Sequence, residues 1–429
     1  MQDAPNDRSR ARTLNNRWVR IIPVAIIVYI IAFMDRTNVG FGFSGMEESL
    51  SFGATAAGFA GGIFFIGYLF LQIPGGHLAE HRSAKHFVGI MLLVWGVFAI
   101  LTGLVQTYWQ LLVVRFLLGV AEGGVWPAIL VLISHWFPAE ERARAYALWI
   151  INIPIASIIT SPLSGWIVEN AGWRWLFIIE GLFPFIVAPL WWWLIDDHPS
   201  EASWISERER RYIETSLAEE RRNAPESQGY RQVLQSGIVW KLVLVYFLIQ
   251  VGFYGLNLWL PTALKELTQQ GFGLVGLIGA LPYVVAVGGL LLNGWLADKT
   301  GRYPLLVFAS MLIAAGALMA SVLVGENQIV LSIALLSLAM GGALAYDGPF
   351  WAAASEATPP AVVGGAMGLV NAIGNLGGFV GPYLGGYLQD LSNGSFVSTD
   401  AMLAGALLLA GLVMLTIRVR GLAQAPASA

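Results

Sequence analysis

Gly76-His77-Leu78-Ala79-Glu80 returns 218 residues later as Gly294-Trp295-Leu296-Ala297-Asp298. Each copy follows an apolar stretch and leads into a short basic segment, Arg82 and Lys85 in the first, Lys299, Gly301 and Arg302 in the second. Glycine permits a tight exit from a helix. The acid falls near the N-terminus of the next helix, where the backbone dipole favours it. The basic side chains suit anionic headgroups. Gly76, Glu80, Gly294, Asp298 and Arg302 are therefore read as structural or gating loop residues. A repeat offset of about half the chain divides the sequence into two equivalent halves.

Composition says what those halves are made of. Of 429 residues, 56% are hydrophobic and only 12% charged, and mean hydropathy is +0.66. A soluble protein is about 25% charged, so a disordered chain, a coiled coil and most soluble enzymes are excluded. Seventeen Trp, 22 Phe and 49 Gly suit a membrane bundle, with aromatics at the interfaces and glycines where helices approach. There is no cysteine, which excludes disulfides, thiol catalysis and cysteine metal sites. A net charge of −3, evenly mixed, does not suggest nucleic acid.

Roughly 20 apolar residues cross a bilayer core. Twelve such stretches are present, at 19–43, 55–77, 86–106, 109–135, 143–168, 174–195, 238–262, 272–297, 304–324, 328–353, 362–388 and 400–418. The first is too long for a signal peptide and carries Asp35-Arg36 within it. The expected fold is an all-α membrane protein whose twelve transmembrane helices form two pseudo-symmetric six-helix bundles. The expected organisation is a cytoplasmic tail over 1–18, bundles over 19–195 and 238–418, a linker with an amphipathic helix over 196–237, and a cytoplasmic tail over 419–429. Trp204, Ile205, Tyr212, Ile213 and Leu217 lie among Glu and Arg at near-helical spacing in that linker. All but four of the 24 Lys and Arg residues fall on one side of the spans, which places both termini in the cytoplasm.

Charges inside spans are expensive and mark candidate functional positions. Six stand out: Asp35, Arg36, Arg115, Glu122, Glu180 and Asp347. Arg115 and Glu122 are seven residues apart, so they share one helical face. A guanidinium binds a carboxylate bidentately and keeps its charge at any physiological pH. A buried acid nearby can hold it while the site is empty and release it on protonation.

The doubled loop, with Asp35-Arg36-Thr37-Asn38 in span 1 and Arg115-Phe116-Leu117-Leu118-Gly119 with Glu122-Gly123 in span 4, resembles the major facilitator superfamily. Trp136-Phe137-Pro138, Gly348-Pro349-Phe350-Trp351 and Asn371-Ala372-Ile373-Gly374-Asn375 carry the resemblance to its anion:cation symporter branch, which includes sugar-acid and aromatic-acid permeases and vesicular glutamate and sialic acid carriers. Ser83 and Phe33 depart from that pattern, and Ser161-Pro162-Leu163-Ser164-Gly165 in span 5 lacks an antiporter-type Gly-Pro signature.

What the resemblance implies is a non-enzymatic secondary transporter, importing an organic carboxylate with protons by alternating access, monomeric, in a bacterial inner membrane. It needs no cofactor beyond the coupling proton. Arg36 and Arg115 then read as anion ligands, with Tyr254, Asn257, Tyr346, Trp351, Asn371 and Asn375 contacting the body of the substrate. Asp35, Glu122 and Asp347 read as proton-coupling groups, and Glu180 as structural. An anion exchanger or facilitator of the same fold is the alternative. His77-Leu78-Ala79-Glu80-His81 matches an inverted zinc-peptidase pattern, but its repeat replaces both histidines, so an intramembrane metallohydrolase is a remote reading.

Overall fold

Backbone polar groups have no water to bond in hydrocarbon, so apolar runs of this length close their hydrogen bonds internally as helices. The computed structural model describes residues 16–223, 230–359 and 362–419. Among them lie eleven continuous helical runs long and apolar enough to cross a membrane. One, Ala54–Leu104, has 51 residues, enough for two crossings, and a π-helical turn at Ala79–Ser83 divides it. The twelve spans are α1 (Asn16–Leu50), α2 (Ala54–Leu78), α3 (Ala84–Leu104), α4 (Tyr108–Trp136), α5 (Ala139–Ala171), α6 (Trp173–Leu194), α7 (Gly237–Thr268), α8 (Phe272–Thr300), α9 (Tyr303–Val324), α10 (Ile329–Ala357), α11 (Val363–Leu391) and α12 (Val397–Met414). The far tails, including Arg8, Arg10, Arg12 and Arg420, lie outside the described residues.

Six helices are interrupted beside charged or amide residues: α1 at Asn38, α4 at Gly124, α5 at Ile151, α6 at Gly181–Leu182, α10 at Ala345–Tyr346 and α11 at Asn375–Leu376. Interrupted backbone at membrane depth is tolerated where it is buried in protein or lines a cavity.

The two halves meet most closely on the face opposite the basic loops. A Cβ on Gly58 of α2 would lie 2.2 Å from the Pro382 carbonyl oxygen of α11, and one on Gly165 of α5 would lie 2.3 Å from the Phe272 carbonyl oxygen of α8. Only glycine permits these backbone approaches. Each seam carries a carboxylate that caps a helix of the other half. Asp390 at the end of α11 accepts from the amides of Ala54 (3.2 Å) and Thr55 (2.8 Å) at the start of α2, and also from the Thr55 hydroxyl. Glu169 at the end of α5 accepts from the Gly273 amide at the start of α8. The capped amides of Thr55 and Gly273 are related by the same 218-residue offset as the loop repeat, and their carboxylates Glu169 and Asp390 by 221 residues.

The linker helix Glu207–Asn223 is fastened to the N-terminal half. Arg17, 1% exposed, reaches Glu209 of this helix at 3.0 Å and pairs with Glu141 at the start of α5. Tyr212 donates to the same Glu141 at 3.0 Å, and Arg142 bridges to Glu220. Burial raises the Glu209 carboxyl above the usual range, against the pull of Arg17.

The loop repeat behaves differently from its expected geometry in one respect. Neither Gly76 nor Gly294 ends its helix. Helix α2 runs through Gly76, whose Cβ position lies 3.2 Å from Pro127, and the left-handed exit from α8 falls at Gly301, with φ 62°. A positive φ is what demands glycine there. Glu80, Asp298 and Arg302 are exposed on the basic face.

Candidate substrate site

Between the halves lies a narrow central cavity, walled by α1, α2, α4 and α5 on one side and α7, α8, α10 and α11 on the other. Arg36 lines it from the N-terminal half. Its Nε donates to Glu122 of α4 at 3.2 Å, and its Nη1 donates to the Tyr29 hydroxyl at 3.1 Å. The guanidinium lies over the ring of Tyr68, 4.6 Å from the centroid. Nη2 has no partner. A buried cation with an unused donor beside a cavity can accept a carboxylate.

The opposite wall is an amide and hydroxyl ladder. The Tyr346 hydroxyl donates to Gln250 Oε1 (3.3 Å), Gln250 Nε2 to Asn375 Oδ1 (3.2 Å), and Asn375 Nδ2 to Asn371 Oδ1 (3.1 Å). Asn371 Nδ2 then crosses to Gln72 of α2 at 3.3 Å. Asp347, half-buried, and Trp351 face the same space, joined by an indole hydrogen bond of 3.1 Å. Trp126, Trp351 and Asn371 also line a second, wider space formed by the basic-face ends of α2, α4, α5, α10 and α11. These three residues stand between the central cavity and the basic-face space, while the glycine seams close the other face.

Of the residues singled out in the sequence, Arg36, Tyr254, Tyr346, Asp347, Trp351, Asn371 and Asn375 line the central cavity. Four do not. Glu122 is fully buried behind Arg36. Arg115, 1% exposed, donates to the main-chain oxygen of Asp35 at 3.1 Å and lies over Phe64. Asp35 accepts from Asn38 at 3.4 Å and is buried. Asn257 accepts from the Tyr283 hydroxyl beside a small hydroxyl-lined space nearer the closed face. Three residues beyond Tyr254 on a helix is both a 60° turn and a 4.5 Å rise, enough to leave the cavity.

Glu180 is held by Asn38 (2.8 Å) and Ser164 (2.7 Å) rather than by Arg174, which binds the carbonyls of Gly103 and Val105. Tyr29, Tyr68, Gln250 and Gln72 were not singled out. Gln250 could have been: Tyr246, Gln250 and Tyr254 recur every fourth residue on an otherwise apolar helix, which aligns them on one face.

The Major Facilitator Superfamily family model matches residues 25–382. The chain belongs to this superfamily. A "Putative tartrate transporter" of Agrobacterium vitis is 33% identical over 96% of this chain and 96% of its own length. A "Quinolone resistance transporter" of Acinetobacter baumannii is 30% identical, covering 91% of this chain and 92% of its own. Among solved structures, an inward-facing, occupied bacterial homologue of the human lysosomal transporter Spinster superposes with a TM-score of 0.72 at 17% identity, over 94% of this chain and 95% of that one. That likeness shows the fold. The superfamily member described here is thus a multi-pass membrane transporter, not an enzyme.

Proposed function

We propose that this transporter is a proton-coupled symporter for an organic carboxylate, working by alternating access about the cavity at Arg36. One observation carries the reading: the only cation lining that cavity among the described residues is held on its inner side by a fully buried acid, Glu122, and keeps a donor without a hydrogen bond. Ionised Glu122 satisfies Arg36 while the site is empty. Protonation of Glu122 weakens that pair and turns the guanidinium toward an incoming carboxylate, so the anion and the proton favour each other's binding. Loss of both restores the internal pair and lets the empty carrier return. Asp35 is the second proton-carrying acid in this scheme.

The basic face is the cytoplasmic one on the positive-inside rule, in a bacterial inner membrane, so the wider space beyond Trp126, Trp351 and Asn371 faces the inside. The relative named as a putative tartrate transporter supports an organic-anion cargo, and the cationic guanidinium of Arg36 supports a carboxylate as the group it holds. Two protons carried with a monoanion move one net positive charge, worth about 2.3 kcal/mol per 100 mV. The test is uptake into proteoliposomes under separately imposed pH and voltage gradients. Accumulation driven by both is expected. Response to pH alone would remove the second proton, and response to neither would overturn symport in favour of exchange or facilitation.

A further inference from the structure

Among the described residues, Arg36 and Asp347 are the only charged side chains lining the central cavity, and they stand on different halves. The wider space toward the basic face is lined by no charged residue among those described. The two differ in how they are matched. Arg36 has Glu122 behind it, whereas among the described residues Asp347 has no ion pair and a single protein hydrogen bond, from the Trp351 indole to Oδ1. Oδ2 receives no protein donor, and the carboxylate is only half-buried, on the cavity side of an interrupted helix. Aromatic rings gather around it: Trp351 lies 5.2 Å from Tyr246, and Tyr246 6.3 Å from Tyr346.

An unmatched carboxylate at a cavity wall calls for a donor from the ligand. Aromatic faces beside it suit C–H edges of a polyol or an ammonium group. A second carboxylate on the ligand would meet Asp347 as a like charge in a poorly solvated space, with no second cation to hold it, which discriminates by repulsion.

We propose that the site selects a bipolar monocarboxylate, one carboxylate against Arg36 and a hydrogen-bond donor, hydroxyl or ammonium, against Asp347, and that it rejects dicarboxylates. This rests on the anion reading of Arg36 and specifies the cargo class of the same site.

The test is calorimetric binding to the full chain in nanodiscs at pH 7.5 with two matched series of probes. The six-carbon series is gluconate, glucosaminate and glucarate; the three-carbon series is glycerate, serine and tartronate. In at least one series the two monocarboxylates are expected to bind at least tenfold more tightly than the dicarboxylate. Asp347→Asn is expected to shrink that gap at least tenfold and to erase any preference for the ammonium over the hydroxyl probe. The ammonium and hydroxyl arms decide which donor Asp347 prefers. A dicarboxylate that binds the native chain as well as its monocarboxylate partners in every series that binds overturns the proposal whatever the variant does. A gap unchanged in Asp347→Asn overturns the role of Asp347. Arg36→Ala separates the two layers: if it leaves all binding intact, the anion site itself is wrong, whereas Arg36-dependent binding without discrimination sinks only the bipolar selection. Silence from both series overturns the substrate class.

Discussion

The Nε of Arg36 on α1 lies 3.2 Å from Oε2 of Glu122 on α4, and both groups are buried, Glu122 completely. The pair joins two helices that belong to the same half, so it can stay assembled while the halves rock. It is strong enough to need a competitor before Arg36 can turn to a ligand, since removing one partner of a buried pair costs about 3–5 kcal/mol.

Arg36→Ala should therefore weaken binding of the transported anion itself rather than merely slow turnover. A charge-assisted hydrogen bond contributes about 1.5–3 kcal/mol, so affinity should fall by about 10- to 100-fold. Arg36→Lys should recover little, because an ammonium lacks the planar fork. Calorimetry on the detergent-solubilised protein decides it, and retained affinity would place the ligand elsewhere.

Glu122→Gln mimics the protonated acid. Proton-driven accumulation should be lost while counterflow of labelled substrate persists, and binding should no longer strengthen as pH falls. Accumulation at the native level would end the coupling role of Glu122.

The paired caps on the closed face make a third prediction. Replacing both Asp390 by Asn and Glu169 by Gln weakens the charge–dipole attraction at the starts of α2 and α8 without changing side-chain size. Each change alone should do little, because these carboxylates are exposed and screened. Together they should raise opening on that face. Since the chain has no cysteine, a single Ser157→Cys reporter in the small space near Asn257 can be labelled with an impermeant maleimide. Labelling should be about threefold faster or more in the double variant, as expected for loss of two caps of modest strength; unchanged labelling would make the caps incidental.

The fastening of the linker helix makes a fourth. Arg17→Ala strands Glu209, which is 0% exposed, and should lower stability by about 3–5 kcal/mol. Arg17→Ala with Glu209→Leu should recover much of that loss. A melting temperature of the single variant within a degree of native would show the clamp contributes nothing.

How much was legible follows from what each kind of residue needs. The spans were readable because length and hydropathy set them with little regard to packing, so the expected 238–262 and the observed Gly237–Thr268 differ mainly by amphipathic turns beyond the bilayer core. The linker helix was visible in its spacing, but its docking was not, since Arg17 meets Glu209 across 192 residues of sequence. Arg36, Asp347 and Asn371 could be found as polar groups in apolar helices. Which of them face the cavity could not: Arg115 and Arg36 look alike in sequence, and only the crossing of α1 over α4 directs Arg115 onto a carbonyl of Asp35 instead. Gln72 and Tyr29 escaped notice for a related reason, because each gains its meaning from a partner on another turn or another half.

The two seams of the closed face, with their carboxylate caps, lie well away from the residues that would hold the cargo. Tightening or loosening them alters how long the carrier dwells in each orientation while the contacts made with the cargo stay as they are. Pace and selectivity are thus separable traits in this molecule, open to independent adjustment by substitutions at opposite ends of the same helices.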